Sequence, residues 1–215
     1  MSIRIMIADD HAVVRDGLKM ILESEEDMQI VTLAADGREA VTLAAEHQPH
    51  VIIMDISMPG LNGIEAARLI RERLPAVKVL VLSMHHSTEH IYRALQAGAQ
   101  GYLLKESAGS EVVTAVRAVM KGNRFFGKGV EQPLEEPPGK GRTFRKSPID
   151  SLSSREREIL QGVVEGKTSV EIAEVLSLSP KSVETYRSRL MLKLGVANIP
   201  TLVRFALQHG IIPSD

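Results

Sequence analysis

The chain has 215 residues, 44% of them hydrophobic, which is enough for one large domain or two smaller ones. It contains no cysteine, so disulfides and thiolate chemistry are excluded. No apolar run approaches the roughly 18 residues that a membrane helix needs. The segment Met1–Ala8 lacks the basic region and cleavage site of a signal peptide. We therefore expect a cytoplasmic protein that makes no membrane contact.

The formal net charge of −1 hides an uneven distribution along the chain. Residues 1–121 carry 12 basic and 16 acidic residues, residues 122–147 carry 6 and 3, and residues 148–215 carry 8 of each. This balance provides no general electrostatic attraction to nucleic acid. Any DNA-binding function therefore needs a local basic cluster.

The first 121 residues alternate strand-like apolar runs with amphipathic helical segments. The predicted strands are Ile3–Ala8, Gln29–Ala34, Val51–Asp55, Val77–Ser83 and Gly101–Leu104. The predicted helices are Ala12–Glu23, Gly37–Glu46, Gly63–Arg73, Thr88–Ala97 and Gly109–Lys121. Five βα units in sequence predict a doubly wound α/β domain, with a five-stranded parallel sheet covered by helices on both faces.

Charged and polar side chains follow the predicted strands. Val51–Met54 is an apolar run of the kind that is buried on both faces of a parallel sheet, and it ends in Asp55. The ends of the other strands supply Asp9, Asp10, Ser83 and Lys105. Because open α/β sheets bind ligands at the carboxyl ends of their strands, we expect these side chains to share one cleft.

This set of side chains suits phosphoryl chemistry. Three carboxylates in one cleft repel one another unless a hard cation such as Mg²⁺ lies among them. A lysine and a hydroxyl beside that cation hold the remaining phosphoryl oxygens. Taken singly, Asp55 and Asp10 are also common as loop or helix caps, and Ser83 and Lys105 are ordinary surface groups. Their joint occurrence favours phosphoryl transfer onto Asp55.

The segments around these residues resemble the receiver domains of two-component response regulators. They are Ala8–His11, Met54–Gly60, Leu82–His85 and Ala97–Lys105. The resemblance covers residues 1 to about 121 and implies a flavodoxin-like fold. It also implies that Asp55 is the phosphoacceptor.

The same resemblance implies a magnesium site. Asp10, Asp55 and the backbone carbonyl of Ser57 would bind Mg²⁺ directly. Asp9 would act on the ion through water.

The resemblance further implies a switch that responds to the phosphoryl group. Ser83 would be the switch hydroxyl and Lys105 the phosphate-binding cation. Tyr102 would change its exposure when Ser83 engages the phosphoryl oxygen, and a half-buried structural aromatic is the alternative for this residue. Many receivers have proline after the lysine, where this chain has Glu106, so the geometry of that loop is less defined.

Glycine and proline interleaved with charged residues follow Lys121, and they predict a linker at residues 127–148. The linker would join a receiver domain at residues 1–126 to a second domain at residues 149–215. Phe125 and Phe126 are expected to dock the end of the last receiver helix. The basic charge of this region suits either DNA phosphates or a solvated tether, and we favour the tether.

The pattern from Leu152 onward predicts four helices, at residues 154–165, 169–176, 180–194 and 199–209. The boundary signals are two capping boxes, a Ser-Pro start, an Asn cap and three helix-ending glycines. They are Ser153 with Glu156, Thr168 with Glu171, Ser179-Pro180, Asn198, Gly166, Gly195 and Gly210. A three-residue turn joins the middle pair, as in a helix-turn-helix motif. The sequence therefore predicts a small all-α domain after the linker.

The third of these helices places its apolar residues on one face and a polar, locally basic set on the other. The apolar residues are Val183, Tyr186, Leu190 and Leu194. The polar residues are Lys181, Glu184, Thr185, Arg187, Ser188 and Lys193. A solvated charged face is one explanation for the polar set, and a DNA-binding face is the other.

The C-terminal segments closely resemble the LuxR-type helix-turn-helix domain. They are Leu152–Leu160, Val164–Lys167, Glu171–Ala173, Ser182–Leu190 and Lys193–Gly195. The resemblance implies that the third helix enters the major groove and that the last helix helps the domain to dimerise on DNA. Tyr186 and Glu184 depart from residues found in many relatives, so the sequence of the half-site is left open.

The two resemblances together identify a NarL/FixJ-type response regulator, a transcription factor rather than an enzyme. They imply as partners a sensor histidine kinase, double-stranded promoter DNA, RNA polymerase and a second copy of the chain after phosphorylation. A haloacid-dehalogenase-type phosphatase would need a second aspartate two residues after Asp55, where this chain has Ser57. The remaining alternative is a regulator that acts through protein contacts without binding DNA.

Overall fold

The structure is a computed structural model that describes residues 2–131, 148–208 and 211. The chain divides into two compact units. We call them the N-terminal unit, described for residues 2–131, and the C-terminal unit, described for residues 148–208 and 211. Most of the predicted linker at 127–148 lies outside the described residues, so its extent stays a prediction.

The N-terminal unit is a parallel sheet with strand order β2-β1-β3-β4-β5-β6. The strands are β1 (Ile3–Ala8), β2 (Met28–Ala34), β3 (Val51–Asp55), β4 (Lys78–Ser83), β5 (Gly101–Leu104) and β6 (Phe125–Phe126). The helices are α1 (Ala12–Glu23), α2 (Gly37–His47), α3 (Gly63–Arg73), α4 (Thr88–Ala97) and α5 (Ala108–Met120). The ten elements predicted from the sequence are all present, with bounds that differ by at most one residue at either end.

The prediction of five strands was wrong by one, because Phe125 and Phe126 form a sixth strand beside β5. Two residues are too few to show the alternating pattern by which a strand is recognised in a sequence. The chain continues along the same edge, where the N–H of Gly127 donates to the carbonyl of Tyr102 across 2.9 Å. Val130 then packs into the core with 8% exposure. The start of the predicted linker therefore belongs to the N-terminal unit.

The central strand β3 is buried along its whole length, as its apolar run predicts. Ile52 and Met54 face one hydrophobic cluster, and Val51 and Ile53 face the other. Because both faces of the sheet are covered, its polar side chains are expected at the strand ends. The carboxyl end of β3 is Asp55.

The C-terminal unit consists of a short 3-10 helix and four α-helices. They are Pro148–Ser151, α6 (Ser154–Val164), α7 (Ser169–Leu176), α8 (Pro180–Leu194) and α9 (Ile199–Gln208). Both predicted capping boxes are present, and Gly195 ends α8 in the left-handed conformation with φ of 67°. The 3-10 helix was not predicted from the sequence, and Gly210, which was predicted to end the last helix, lies outside the described residues.

The core of the C-terminal unit contains the apolar face that was predicted for α8. Val183 and Leu190 are fully buried, and Tyr186 and Leu194 pack against the same cluster in partly buried positions. The opposite face of the helix is left to solvent.

Among the described residues, no single helix is long and apolar enough to span a membrane. The pair Pro180–Leu194 and Ile199–Leu207 passes the same length and composition test only when joined, and it is bent by 62°.

Candidate functional site

The carboxyl ends of β1, β3 and β5 bring two aspartates and a lysine together. Asp9 and Asp55 are 0% and 1% exposed. The Nζ atom of Lys105 lies 2.8 Å from Oδ2 of Asp9 and 2.9 Å from Oδ2 of Asp55. One ammonium group therefore lies beside two buried carboxylates. When both carboxylates are ionised, the three groups carry a net negative charge.

This negative charge affects the pKa of Asp55. Burial and the neighbouring charge of Asp9 raise the pKa of Asp55 above its ordinary value, although Lys105 and the backbone N–H of Ser57 act in the opposite direction. For Lys105, burial acts to lower the pKa, but its contacts with the two carboxylates raise it overall. The lysine is thus held in its charged form beside the phosphoacceptor candidate.

Asp10 completes an acidic cluster near the surface. Ligand atoms of Asp9, Asp10, His11 and Asp55 all lie within 4.8 Å of one another. Nδ1 of His11 is 2.8 Å from Oδ1 of Asp10 and 3.3 Å from Oδ1 of Asp9. No role was predicted for His11, although its position directly after two aspartates was a signal that it belongs to the cluster.

Ser57 lies next to Asp55 through its main chain. Its backbone N–H hydrogen-bonds the Asp55 carboxylate. The resemblance to receiver domains implied that the carbonyl of this residue binds Mg²⁺, and the N–H contact was not predicted. A main-chain hydrogen bond of this kind depends on the turn geometry after β3, which residue types alone do not define.

The predicted switch residues meet at the loop after β4. Ser83 is 1% exposed, and its Oγ accepts a hydrogen bond of 2.9 Å from the backbone N–H of His85. Tyr102 is fully buried rather than half-buried, and its role as a switch or a structural aromatic stays a prediction. Its hydroxyl donates to the carbonyl of His85 across 2.6 Å, and burial raises its pKa to about 12. The imidazole of His85 stacks on that of His90, with centroids 4.7 Å apart.

A surface cleft of about 390 Å³ lies over this cluster. Its lining residues are His11, Val14, Met84, Lys105 and Glu106. The side chain of Lys105 is 12% exposed, so the cleft gives a small molecule or a partner side chain access to the lysine.

The outer face of α8 carries four of the six residues predicted to contact DNA. Lys181, Glu184, Thr185 and Ser188 are exposed there. The hydroxyls of Thr185 and Ser188 donate to carbonyls one turn earlier, so they can exchange those bonds for other partners. Arg189, which the prediction left out, is exposed on the same helix.

The other two predicted DNA contacts are engaged within the C-terminal unit. Arg187 is half-buried, and its Nη1 lies 3.4 Å from Oγ of Ser169 on α7. Nζ of Lys193 lies 2.7 Å from Oε2 of Glu156 and 3.3 Å from the carbonyl of Ser151. Lys193 therefore joins the end of α8 to the start of α6 and is less available to a phosphate than its sequence position indicated.

Comparisons with known families agree with this arrangement of two units. The family described as response regulator receiver domain matches residues 5–117, and the family described as bacterial regulatory proteins, luxR family, matches residues 150–206. The chain belongs to the NarL/FixJ-type response regulators, which join a receiver domain to a LuxR-type DNA-binding domain. It is accordingly a two-component transcriptional regulator and not an enzyme.

Relatives and solved structures of this type extend over nearly the whole chain. The oxygen regulatory protein NreC of Staphylococcus carnosus is 39% identical and covers 97% of this chain and 99% of its own. The transcriptional regulatory protein MctR of Rhizobium johnstonii is 38% identical, with coverage of 98% and 96%. The solved complex of the response regulator RcsB with DNA is 30% identical, covers 95% and 98%, and has a TM-score of 0.58.

Proposed function

We propose that this regulator is switched on by phosphorylation of Asp55 and then binds promoter DNA as a dimer. The observation that carries the proposal is the buried pair of Asp9 and Asp55 with Lys105 within 3 Å of both carboxylates. A receiver domain implies a sensor histidine kinase as the phosphodonor, and a LuxR-type domain implies DNA as the target. RNA polymerase is the further partner that we expect for a promoter-bound regulator.

The transfer itself needs a nucleophile and a balance of charge. A carboxylate oxygen of Asp55 attacks the phosphorus of a phosphohistidine, the new O–P bond forms, and the P–N bond breaks. The electron pair of that bond stays on the imidazole nitrogen. Lys105 remains beside the site and stabilises the negative phosphoryl oxygens.

The acidic cluster fits a divalent cation. Asp9, Asp10 and Asp55 supply hard oxygen donors within reach of one another, and one lysine does not neutralise them. Asp10 and Asp55, with the carbonyl of Ser57, would hold Mg²⁺, and Asp9 would act through water. When bound, the ion supplies positive charge for the oxygens of the transferring phosphoryl group.

The predicted switch residues Ser83 and Tyr102 would link the phosphoryl group to the loop after β4. A phosphorylated Asp55 would accept a hydrogen bond from the Ser83 hydroxyl, and the reorientation of Ser83 would weaken the bond that its Oγ now accepts from the N–H of His85. The loop after β4 then rearranges, and Tyr102 loses its bond to the His85 carbonyl. The two-sided attachment of His85 supports this proposal, because one displaced partner changes both contacts.

On DNA, α8 would enter the major groove and α9 would help two copies to pair, as in the resembled family. Glu184, Thr185 and Ser188 are short or acidic groups that can read base edges, and Lys181 suits a phosphate. Arg187 and Lys193 would reach phosphates only after releasing their present partners. The RcsB–DNA complex, a solved relative over nearly the whole chain, supports this use of the unit.

A gel-shift experiment with light scattering tests the proposal. The full chain, treated with acetyl phosphate and Mg²⁺, should dimerise and bind a DNA site selected from genomic fragments more tightly than the untreated chain. The Asp55→Asn variant should show the oligomeric state and DNA affinity of the untreated chain, with or without acetyl phosphate and Mg²⁺. Phosphorylation without any DNA binding would favour a regulator that acts through protein contacts.

A further inference from the structure

The side chain of Arg15 lies against the turn that carries the acidic cluster. Its Nη1 donates to the backbone carbonyl of Asp9 across 2.5 Å. Arg15 is in the first turn of α1, where its own N–H donates to the carbonyl of His11. The side chain thus connects the start of α1 to the end of β1. Asp10 lies in the chain between the two connected residues.

The start of α1, like that of α5, lacks the side-chain cap that α2, α3 and α4 have. His11 occupies the N-cap position and makes no capping hydrogen bond. By contrast, Asp36, Asn62 and Ser87 each accept a backbone N–H at the starts of α2, α3 and α4. A capless helix start frays easily because its first N–H groups have no side-chain acceptor. The hydrogen bond from Arg15 to the Asp9 carbonyl instead ties this turn to α1.

Asp9 is held from several directions in addition to Arg15. Its N–H donates to the carbonyl of Ala34, and its Oδ1 accepts the N–H of His11 at 2.8 Å. Oδ2 is paired with Lys105. The carbonyl held by Arg15 is the one that leads into Asp10, so this contact controls the peptide plane before that residue.

We propose that Arg15 is a positioning residue, which holds the turn from Asp9 to His11 in the geometry that binds a divalent cation. The proposal rests on the proposed function, because the cation is the Mg²⁺ of the phosphorylation site. Arg15 acts through the main chain of Asp9 and touches neither the cation nor the phosphodonor.

The direction in which Mg²⁺ affinity changes when the guanidinium is removed distinguishes positioning from simple electrostatics. A guanidinium near the site repels a cation, so its removal should tighten Mg²⁺ binding if charge is its only influence. If the guanidinium instead fixes the turn, its removal should weaken Mg²⁺ binding. Partners that orient metal ligands typically contribute a factor of about 10 to 100 in affinity.

The test is a Mg²⁺ titration of the full chain, followed by the amide NMR signals of the turn. Arg15→Met should weaken Mg²⁺ binding about 10- to 100-fold, and Arg15→Lys should restore part of the loss because its ammonium can still donate one bond. Lys19→Met removes the same charge one helical turn further along α1 and should change the affinity by less than about twofold. Thermal unfolding of each variant shows that it is folded.

Equal or tighter Mg²⁺ binding by Arg15→Met would overturn the positioning role while leaving the phosphorylation site in place. A wild-type chain that does not bind Mg²⁺ at all would overturn the proposed site and this inference together. If Arg15→Met does not fold, Arg15→Lys decides the question. It keeps the charge and alters the donor, so positioning requires weaker binding and electrostatics requires no change.

Discussion

The hydroxyl of Tyr102 donates a 2.6 Å hydrogen bond to the backbone carbonyl of His85. The N–H of the same His85 donates to the Oγ of Ser83. One side chain therefore binds the peptide group on each side of His85 in the loop after β4. This arrangement joins β5 to the loop beside the phosphoacceptor candidate. A change at Ser83 therefore reaches a buried aromatic through one residue.

Tyr102→Phe should keep the buried ring and remove that hydrogen bond. The His85 carbonyl then loses a partner, which should lower the free energy of unfolding by about 1 kcal/mol. Phosphorylation of Asp55 should persist, whereas the gain in DNA binding on phosphorylation should shrink. Urea unfolding and gel shifts with and without acetyl phosphate measure the two effects. Unchanged coupling between phosphorylation and DNA binding would remove Tyr102 from the switch.

Asp55→Asn should stabilise the Mg²⁺-free chain at pH 7. The folded-state pKa of Asp55 is raised, so the folded state binds more protons than the unfolded state in the window above 3.8. Stability is therefore lost as the pH rises through this window, and at neutral pH the buried charge is a penalty. Asparagine removes the penalty, so the free energy of unfolding should rise.

Thermal unfolding in EDTA and in Mg²⁺ measures this effect. The advantage of the Asp55→Asn variant should narrow when Mg²⁺ is added, because the ion stabilises the wild-type carboxylates. Asp16→Asn, at an exposed position on α1, is the matched control and should change stability little. A variant less stable than wild type in EDTA would contradict the electrostatic account of the site.

Gly63→Ala should displace the phosphoacceptor. Gly63 is the first residue of α3, and a Cβ added there would meet the carbonyl oxygen of Asp55 at 1.8 Å. The backbone must give way, since no side-chain movement relieves a contact with a main-chain oxygen. We expect a loss of about 2 kcal/mol or more in the free energy of unfolding and slower phosphorylation per folded molecule.

The control for that variant is Gly17→Ala in α1, where an added Cβ meets nothing within 4 Å. Alanine favours a helix over glycine by about 0.5 to 1 kcal/mol, so this variant should be as stable as wild type or more so. Calorimetry gives the stability, and labelling at saturating acetyl phosphate gives the rate. A Gly63→Ala chain with wild-type stability and rate would mean that the close contact is relieved at no cost.

Lys193→Ala should destabilise the C-terminal unit. Glu156 is 4% exposed, and its contacts with Lys193 and Ser153 lower its pKa overall, against the effect of burial. Without the lysine this carboxylate keeps its capping bonds but loses its ion pair, which should cost about 1 to 3 kcal/mol. Because Lys193 is already paired, we expect the salt dependence of DNA binding to change little.

Lys181→Ala provides the comparison, since Lys181 is exposed at the start of α8. Its loss should weaken binding to all sequences alike and reduce the salt slope by about one unit. Salt titrations on a selected site and on random DNA distinguish the two lysines. If Lys193→Ala alone reduced the slope, the DNA contact predicted for Lys193 would be supported and its ion pair with Glu156 would be secondary.

The sequence predicted most of the fold because its signals are local. Apolar runs define the strands, and caps such as Ser153 with Glu156 define helix starts within four residues. The two-residue strand Phe125–Phe126 escaped, because its identity depends on the neighbouring strand β5. At the site, the ends of separate strands indicated Asp9, Asp55 and Lys105, which the structure brings together.

Contacts between distant segments and contacts with the main chain could not be predicted. Lys193 looked like a free cation on a polar helix face, and its partner Glu156 is 37 residues earlier in the chain. The bond from Arg15 to a carbonyl and the bond from the Ser57 N–H to Asp55 leave no mark in residue types. Such contacts depend on how the turns are folded, which the sequence pattern does not specify.

The most direct test of the account is mass spectrometry of the full chain after incubation with acetyl phosphate and Mg²⁺. The account predicts a mass increase of one phosphoryl group, located on the peptide that contains Asp55 and lost on brief alkaline treatment. It also predicts no increase in EDTA or in Asp55→Asn. A phosphoryl group on another residue, or equal labelling of Asp55→Asn, would contradict the assignment of Asp55 as the phosphoacceptor.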